Sequence, residues 1–147
     1  YGLYGFPNGD AEFRSLASSA RLDVRSEADA ETAALLFFTT VKDPRGQTVV
    51  FHTKQLRHKV DDYFTSKLPE AKAEARSAAW WRSFAGAKIR DQLGVKSARI
   101  SDGFAASVTY IRSDDSGHLQ LARMELRVSS AGACDVADTK VVYRPPE

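Results

Sequence analysis

Two hydrophobic rhythms divide this chain, and together they restrict it to a mixture of helices and antiparallel strands. Between Lys54 and Gly94 apolar residues recur at spacings of three and four, whereas from Phe104 onward they recur at every second position. The first period lays side chains along one stripe of a helix and the second lays them on one face of a strand. Leu56, Val60, Tyr63, Phe64 and Lys67 mark a narrow stripe on a helix from about Lys54 to Lys67. Pro69 reads as the first-turn residue of a second helix, with Glu70 near its positive end, Lys88 and Arg90 near its negative end, and Gly94 as a left-handed terminator. The inward stripe of that helix is predicted as Ala71, Ala75, Ala78, Trp81, Ala85, Ile89 and Leu93, with Trp80 and Phe84 about 100° further round.

The C-terminal third reads as strands. Val95–Ile100 supplies one, Phe104, Ala106, Val108 and Tyr110 share a face of the next, and Ser113–Gly117 turns the chain into a long strand from His118 to Val128. In that strand Leu119 and Leu121 are out of phase with Met124, Leu126 and Val128, which a β-bulge near Ala122-Arg123 would reconcile while bending the strand. Thr139–Tyr143 closes the sheet before Pro145-Pro146.

The N-terminal third is less regular. Residues 1–9, rich in Gly, Pro and aromatic residues, suit an extended arm. Asp10 can cap a short helix to about Ser19, and Leu22 and Val24 alternate with charged neighbours as in a short strand. Leu35–Val41 and Gln47–Thr53, both rich in β-branched and aromatic residues, flank Asp43-Pro44-Arg45-Gly46, which fits a type I turn. These residues predict a β-hairpin over 33–53, although Ser26–Glu31 resembles an acidic helix start and leaves 26–34 ambiguous. The expected architecture is a single α+β domain spanning 1–147. A curved antiparallel sheet, made of the hairpin and the strands of 95–144, packs against two central helices within 54–94.

Composition narrows the function classes. A hydrophobic content of 43% with 27% charged residues is that of a globular chain. The longest apolar run, Ala33–Phe38, falls far short of the roughly 20 residues that cross a bilayer. Cys134 is the one cysteine, so neither an intramolecular disulfide nor a Cys-x-x-Cys site can form. The chain starts at Tyr1 with no leader-like segment, which points to an exported or excised domain. Net charge is −3 over 1–41, +7 over 42–99 and −2 over 100–147, so the basic excess lies in the helical segment, where it either solvates outer faces or meets a polyanion.

No phosphate-binding Gly-rich loop, nucleophile elbow, zinc-protease helix, calcium loop or dinucleotide fingerprint occurs, so no cofactor and no metal is expected. The acidic pairs Asp61-Asp62 and Asp114-Asp115 are neighbours that point apart on a helix or serve a turn. Two groups of residues remain as candidates. Trp80 and Phe84, with Arg76, Arg82, Arg57 and Lys59, combine aromatic and basic chemistry, which is found at protein interfaces and on base-stacking surfaces. His52, His58 and His118, with Lys54, are the residue types of a metal-independent ribonuclease, in which imidazoles shuttle protons beside fixed positive charge. The first group predicts a non-enzymatic domain that binds a protein or small ligand, and the second an RNA-binding protein or ribonuclease-type toxin. Cys134 lies among small residues with no cation nearby in sequence, as an inert thiol would.

Overall fold

The computed structural model of the chain describes residues 23–41 and 47–145. The expected arm, the short helix after Asp10 and the Asp43–Gly46 turn lie outside them. The elements in order are α1 (Glu27–Val41), β1 (Thr48–Val49), α2 (Thr53–Lys67), α3 (Glu70–Ala87), a 3-10 turn at Arg90–Gln92, β2 (Val95–Ile100), β3 (Gly103–Ser113), β4 (Leu119–Val128) and β5 (Cys134–Tyr143). The strands form one antiparallel sheet ordered β1-β3-β4-β5, with β2 also paired to β3, so the fold class is α+β as the two rhythms require. No helix among the described residues is long and apolar enough to cross a membrane.

The first strand of the predicted hairpin is instead the helix α1. Its start is fixed by a capping box: the Asp29 amide donates to Ser26 Oγ at 3.1 Å, and Asp29 Oδ2 accepts from the amides of Ser26 and Arg25 at 3.2 and 3.0 Å. Above all the Arg25 amide, and the Ser26 donors with it, hold the Asp29 carboxyl below its ordinary range. Ala30, Ala33, Ala34, Phe37 and Phe38 are buried at helical spacing, while Thr39 and Thr40 return their hydroxyls to the carbonyl of Leu36. Burial of a helical stripe therefore outweighs the strand preference of Leu-Leu-Phe-Phe-Thr-Thr-Val. Residues 23–25 form no regular strand, although the buried Val24 donates its amide to Ser130 O at 2.8 Å.

The chain divides into two compact units. The first holds the described part of Tyr1–Gln47 with Val95–Val108 and Arg123–Lys140. Here α1 packs on β2, and Ser97 Oγ meets both the carbonyl of Glu27 and the carboxylate of Glu31. The Arg99 guanidinium donates to Arg25 O at 2.8 Å and lies 4.8 Å from the Phe104 ring centre. β2 and β3 form a hairpin from Val95↔Val108 to Ile100↔Gly103, turned by Ser101-Asp102. Gly103 adopts φ +140, and a Cβ there would lie 2.5 Å from Val128 O.

The second unit holds Thr48–Gly94, Thr109–Ala122 and Val141–Glu147 in its described parts. Its core gathers Leu56 and Val60 from α2, Trp80 and Phe84 from α3, Val50, Leu93, Ile111, Leu119, Leu121 and Tyr143. In α3 the buried positions are Ala73, Ser77, Trp80 and Phe84, so the inward stripe is the one drawn through Trp80, and Ala71, Ala75, Ala78 and Ala85 are exposed. Of the other predicted stripe, Leu93 is buried and Trp81 and Ile89 pack half-buried against the core, so large side chains rather than alanine methyls set the rotation of the helix. The helix stops at Ala87 with Lys88 left-handed (φ 55), earlier than a Gly94 terminator implies. Gly94 instead joins three segments: its amide donates to Val50 O, its carbonyl accepts from the Thr109 amide, and the Val50 amide donates to Thr109 O. β4 runs unbroken, and its change of apolar phase between Ala122 and Arg123 falls where the strand leaves the second unit for the first.

Replacing Gly103 with Ala should cost about 2 kcal/mol or more, because the backbone angle and the Val128 carbonyl both oppose a side chain. Gly86→Ala in α3, where nothing lies within 4 Å of the new methyl, should stabilise by about 0.5–1 kcal/mol. Chemical denaturation of the two variants would check both.

Candidate functional site

In the second unit the C-terminal half of α2 and the middle of α3 border a groove of about 610 Å³. Tyr63, Phe64, Lys67 and Leu68 supply one wall, and Arg76, Ala79, Trp80 and Ser83 the other, while Gly117–Leu119 and Pro145 complete the lining. The second wall follows from the sequence, because 76, 79, 80 and 83 repeat at helical spacing and share one stripe.

The walls are braced from behind. Trp80 is only 3% exposed and donates its indole N–H to Leu119 O at 3.3 Å. Its ring stacks on Phe84 at 5.5 Å between centres and meets Tyr143 edge-on at 5.2 Å. Tyr143 donates its hydroxyl to Ser83 Oγ at 2.5 Å, and burial pushes its phenol above the ordinary range. Across the groove the Tyr63 hydroxyl donates to Gly117 O, fixing the β3–β4 turn against α2. Burial, with the nearby Asp114 charge second, raises the Tyr63 phenol. Asp114 accepts from the amides of Ser116 and His118, lies 3.5 Å from His118 Nδ1, and is held low chiefly by the His118 amide.

Cationic chemistry sits at the edge of this apolar groove. The Lys67 ammonium stands 5.2 Å from the Tyr63 ring centre. Arg76 is exposed and, among the described residues, makes no hydrogen bond or ion pair. His118 is also exposed, beside Asp114. Among the described residues no carboxylate lines the groove.

The structure thus brings Trp80, Arg76 and His118 to one groove. Phe84, 2% exposed, packs behind it in the core. Arg57, Lys59, Arg82 and Lys54 are exposed elsewhere on the two helices, Arg57 lying 5.8 Å from the Trp81 ring centre. The three histidines stand apart. His52 is the N-cap of α2, where Nδ1 accepts from the Gln55 amide at 3.1 Å and Gln55 Oε1 accepts in turn from the Phe51 amide at 2.8 Å. His58 lies 3.7 Å from Asp62 on the exposed side of α2. His118 follows the turn held by Tyr63, about 15 Å along the helix axis from the His52 end. Asp61 accepts from Ser77 Oγ and so joins α2 to α3. Among the described residues no group of three or more His, Cys, Asp or Glu side chains is arranged to hold a metal ion.

Sequence reasoning did not single out Tyr63, Lys67, Ala79, Ser83 and Pro145 as groove residues. The stripe through Arg76, Ala79, Trp80 and Ser83 carries the signal for that wall, whereas Pro145 is brought in only by tertiary packing. Cys134 is buried in the first unit, its thiol directed at the carbonyls of Ala33 and Gly132 at 3.7 Å, and burial pushes it up to about 12. Family models, curated proteins and solved structures were compared with this chain, and none of them matches it.

His52→Ala should destabilise the fold by about 1 kcal/mol, and His52→Asp should restore the lost cap, both read by urea denaturation. Cys134 should resist Ellman's reagent at pH 8 in the folded protein and react fully in guanidinium. Because its folded value lies above its ordinary 9.0, the thiol supports folding in full below about pH 9, and that support declines between there and about 12.

Proposed function

We propose that this chain is a binding domain whose ligand is a small organic molecule seated in the groove between α2 and α3. The observation that carries the reading is a groove of about 610 Å³ lined by Tyr63, Phe64, Leu68, Ala79, Trp80 and Leu119 together with the exposed Lys67, Arg76 and His118. Small-ligand sites have this size and composition, with a largely apolar lining and a few polar groups that orient the ligand. The braced walls favour the same reading, because a rigid, preformed site spends little binding energy on ordering itself. Catalysis receives no comparable support, since His52 caps a helix and His58 and His118 each face a carboxylate of their own element or turn.

The uncharged dye N-phenyl-1-naphthylamine tests the proposal. Its fluorescence should rise to a plateau at one dye per chain. Ala79→Trp, which places a large ring at an exposed position of the groove wall, should weaken binding at least about tenfold while leaving the thermal midpoint unchanged. Unsaturable binding, or binding indifferent to Ala79→Trp, would remove the groove as the site.

A further inference from the structure

The distribution of charge around the groove points to the kind of small molecule it takes. Arg76, Lys67 and His118 are its basic lining groups, and among the described residues no acid stands in the lining to neutralise them. Their surroundings differ. At the β3–β4 turn, His118 has the Asp114 carboxylate 3.5 Å away, so its positive charge is already countered when it forms. Arg76, by contrast, has no ion pair among the described residues, and Lys67 leans on the ring face of Tyr63, which carries no formal charge.

Beside Arg76 on α3 lies Lys72, and the two line an adjoining depression of about 440 Å³ together with Leu68 and Ala75. Cations at i and i+4 of a helix repel one another, and an anion between them reverses that cost. Five guanidinium N–H donors in a fixed fork, with an ammonium nearby, match a carboxylate, sulfonate or phosphate group. The apolar walls meanwhile call for a hydrophobic body, which a bare inorganic ion lacks.

Resting on the groove reading above, we propose that the ligand is a small organic anion. Its one- or two-ring apolar body lies along Phe64, Leu68 and Ala79, and its anionic group meets Arg76 and Lys67. A groove of this size suits a compact molecule better than a polymer of phosphates, which needs a long basic track.

The matched probe is 8-anilinonaphthalene-1-sulfonate, which is the neutral dye of the previous section with a sulfonate added to its naphthalene ring. The purified chain should bind the sulfonate about tenfold more tightly than the neutral dye, the gain expected from a charge-assisted hydrogen bond. Arg76→Gln with Lys67→Gln should bring the affinity for the sulfonate down to that of the same variant for the neutral dye. His118→Gln should leave the preference intact. Equal affinity of the wild-type chain for the two dyes, or a preference that survives the double substitution, would overturn the anion assignment while the groove reading stands. Failure of both dyes to bind, or indifference of both to Ala79→Trp, would overturn the two together.

Discussion

The indole of Trp80 is the interaction on which the second unit depends. A tryptophan can be buried at low cost only if its N–H finds an acceptor, and the Leu119 carbonyl provides one. That bond ties α3 to the start of β4, and the contacts of the same ring with Phe84 and Tyr143 tie in the end of β5. Once Trp80 faces inward, helical geometry places Arg76 and Ala79 beside it and Ser83 one turn on, so the rotation of α3 that builds the core also builds a wall of the groove. Core and site are thus two sides of one placement.

The polar groups of the groove stand under different constraints. Lys67, Arg76 and His118 are exposed, and neither Lys67 nor Arg76 is held by an ion pair among the described residues. Changing them alters which ligand is preferred without removing buried apolar area. Trp80, Leu119 and the Tyr143–Ser83 pair cannot be altered so freely, because each closes a hydrogen bond or a packing contact of the core.

Much of this architecture was legible in the sequence, and where the reading failed the physics says why. The helix from Thr53 to Lys67 and the strands after Val95 follow from periods of 3.6 and 2, which survive folding because each element has one buried side. In α3 the sequence offers two stripes of large apolar residues, and the one through Trp80 and Phe84 is the more deeply buried, while Trp81 and Ile89 of the other pack half-buried against the same core and its alanines stay exposed. In α1, local strand preference pointed one way and the spacing of Ala30, Ala33, Ala34, Phe37 and Phe38 the other, and tertiary burial decided for the spacing. Trp80 and Arg76 were visible as candidates from their chemistry alone. His118 could be named from the sequence, but its place beside them depends on a hydrogen bond between Tyr63 and Gly117, residues 54 positions apart, which no local pattern encodes.

The composition of α1 has a further consequence for the life of the chain before it folds. Leu35–Val41 is seven residues without a charge, proline or glycine, rich in aromatic and β-branched types, and such segments stack into intermolecular cross-β assemblies when left exposed. Burial of Ala30, Ala33, Ala34, Phe37 and Phe38 holds the segment as a helix, and Ser26 and Asp29 close its start with reciprocal bonds across three residues. In the folded chain that helix keeps Phe37 and Phe38 buried and the backbone of the stretch paired within itself, so a neighbouring chain finds no strand to extend.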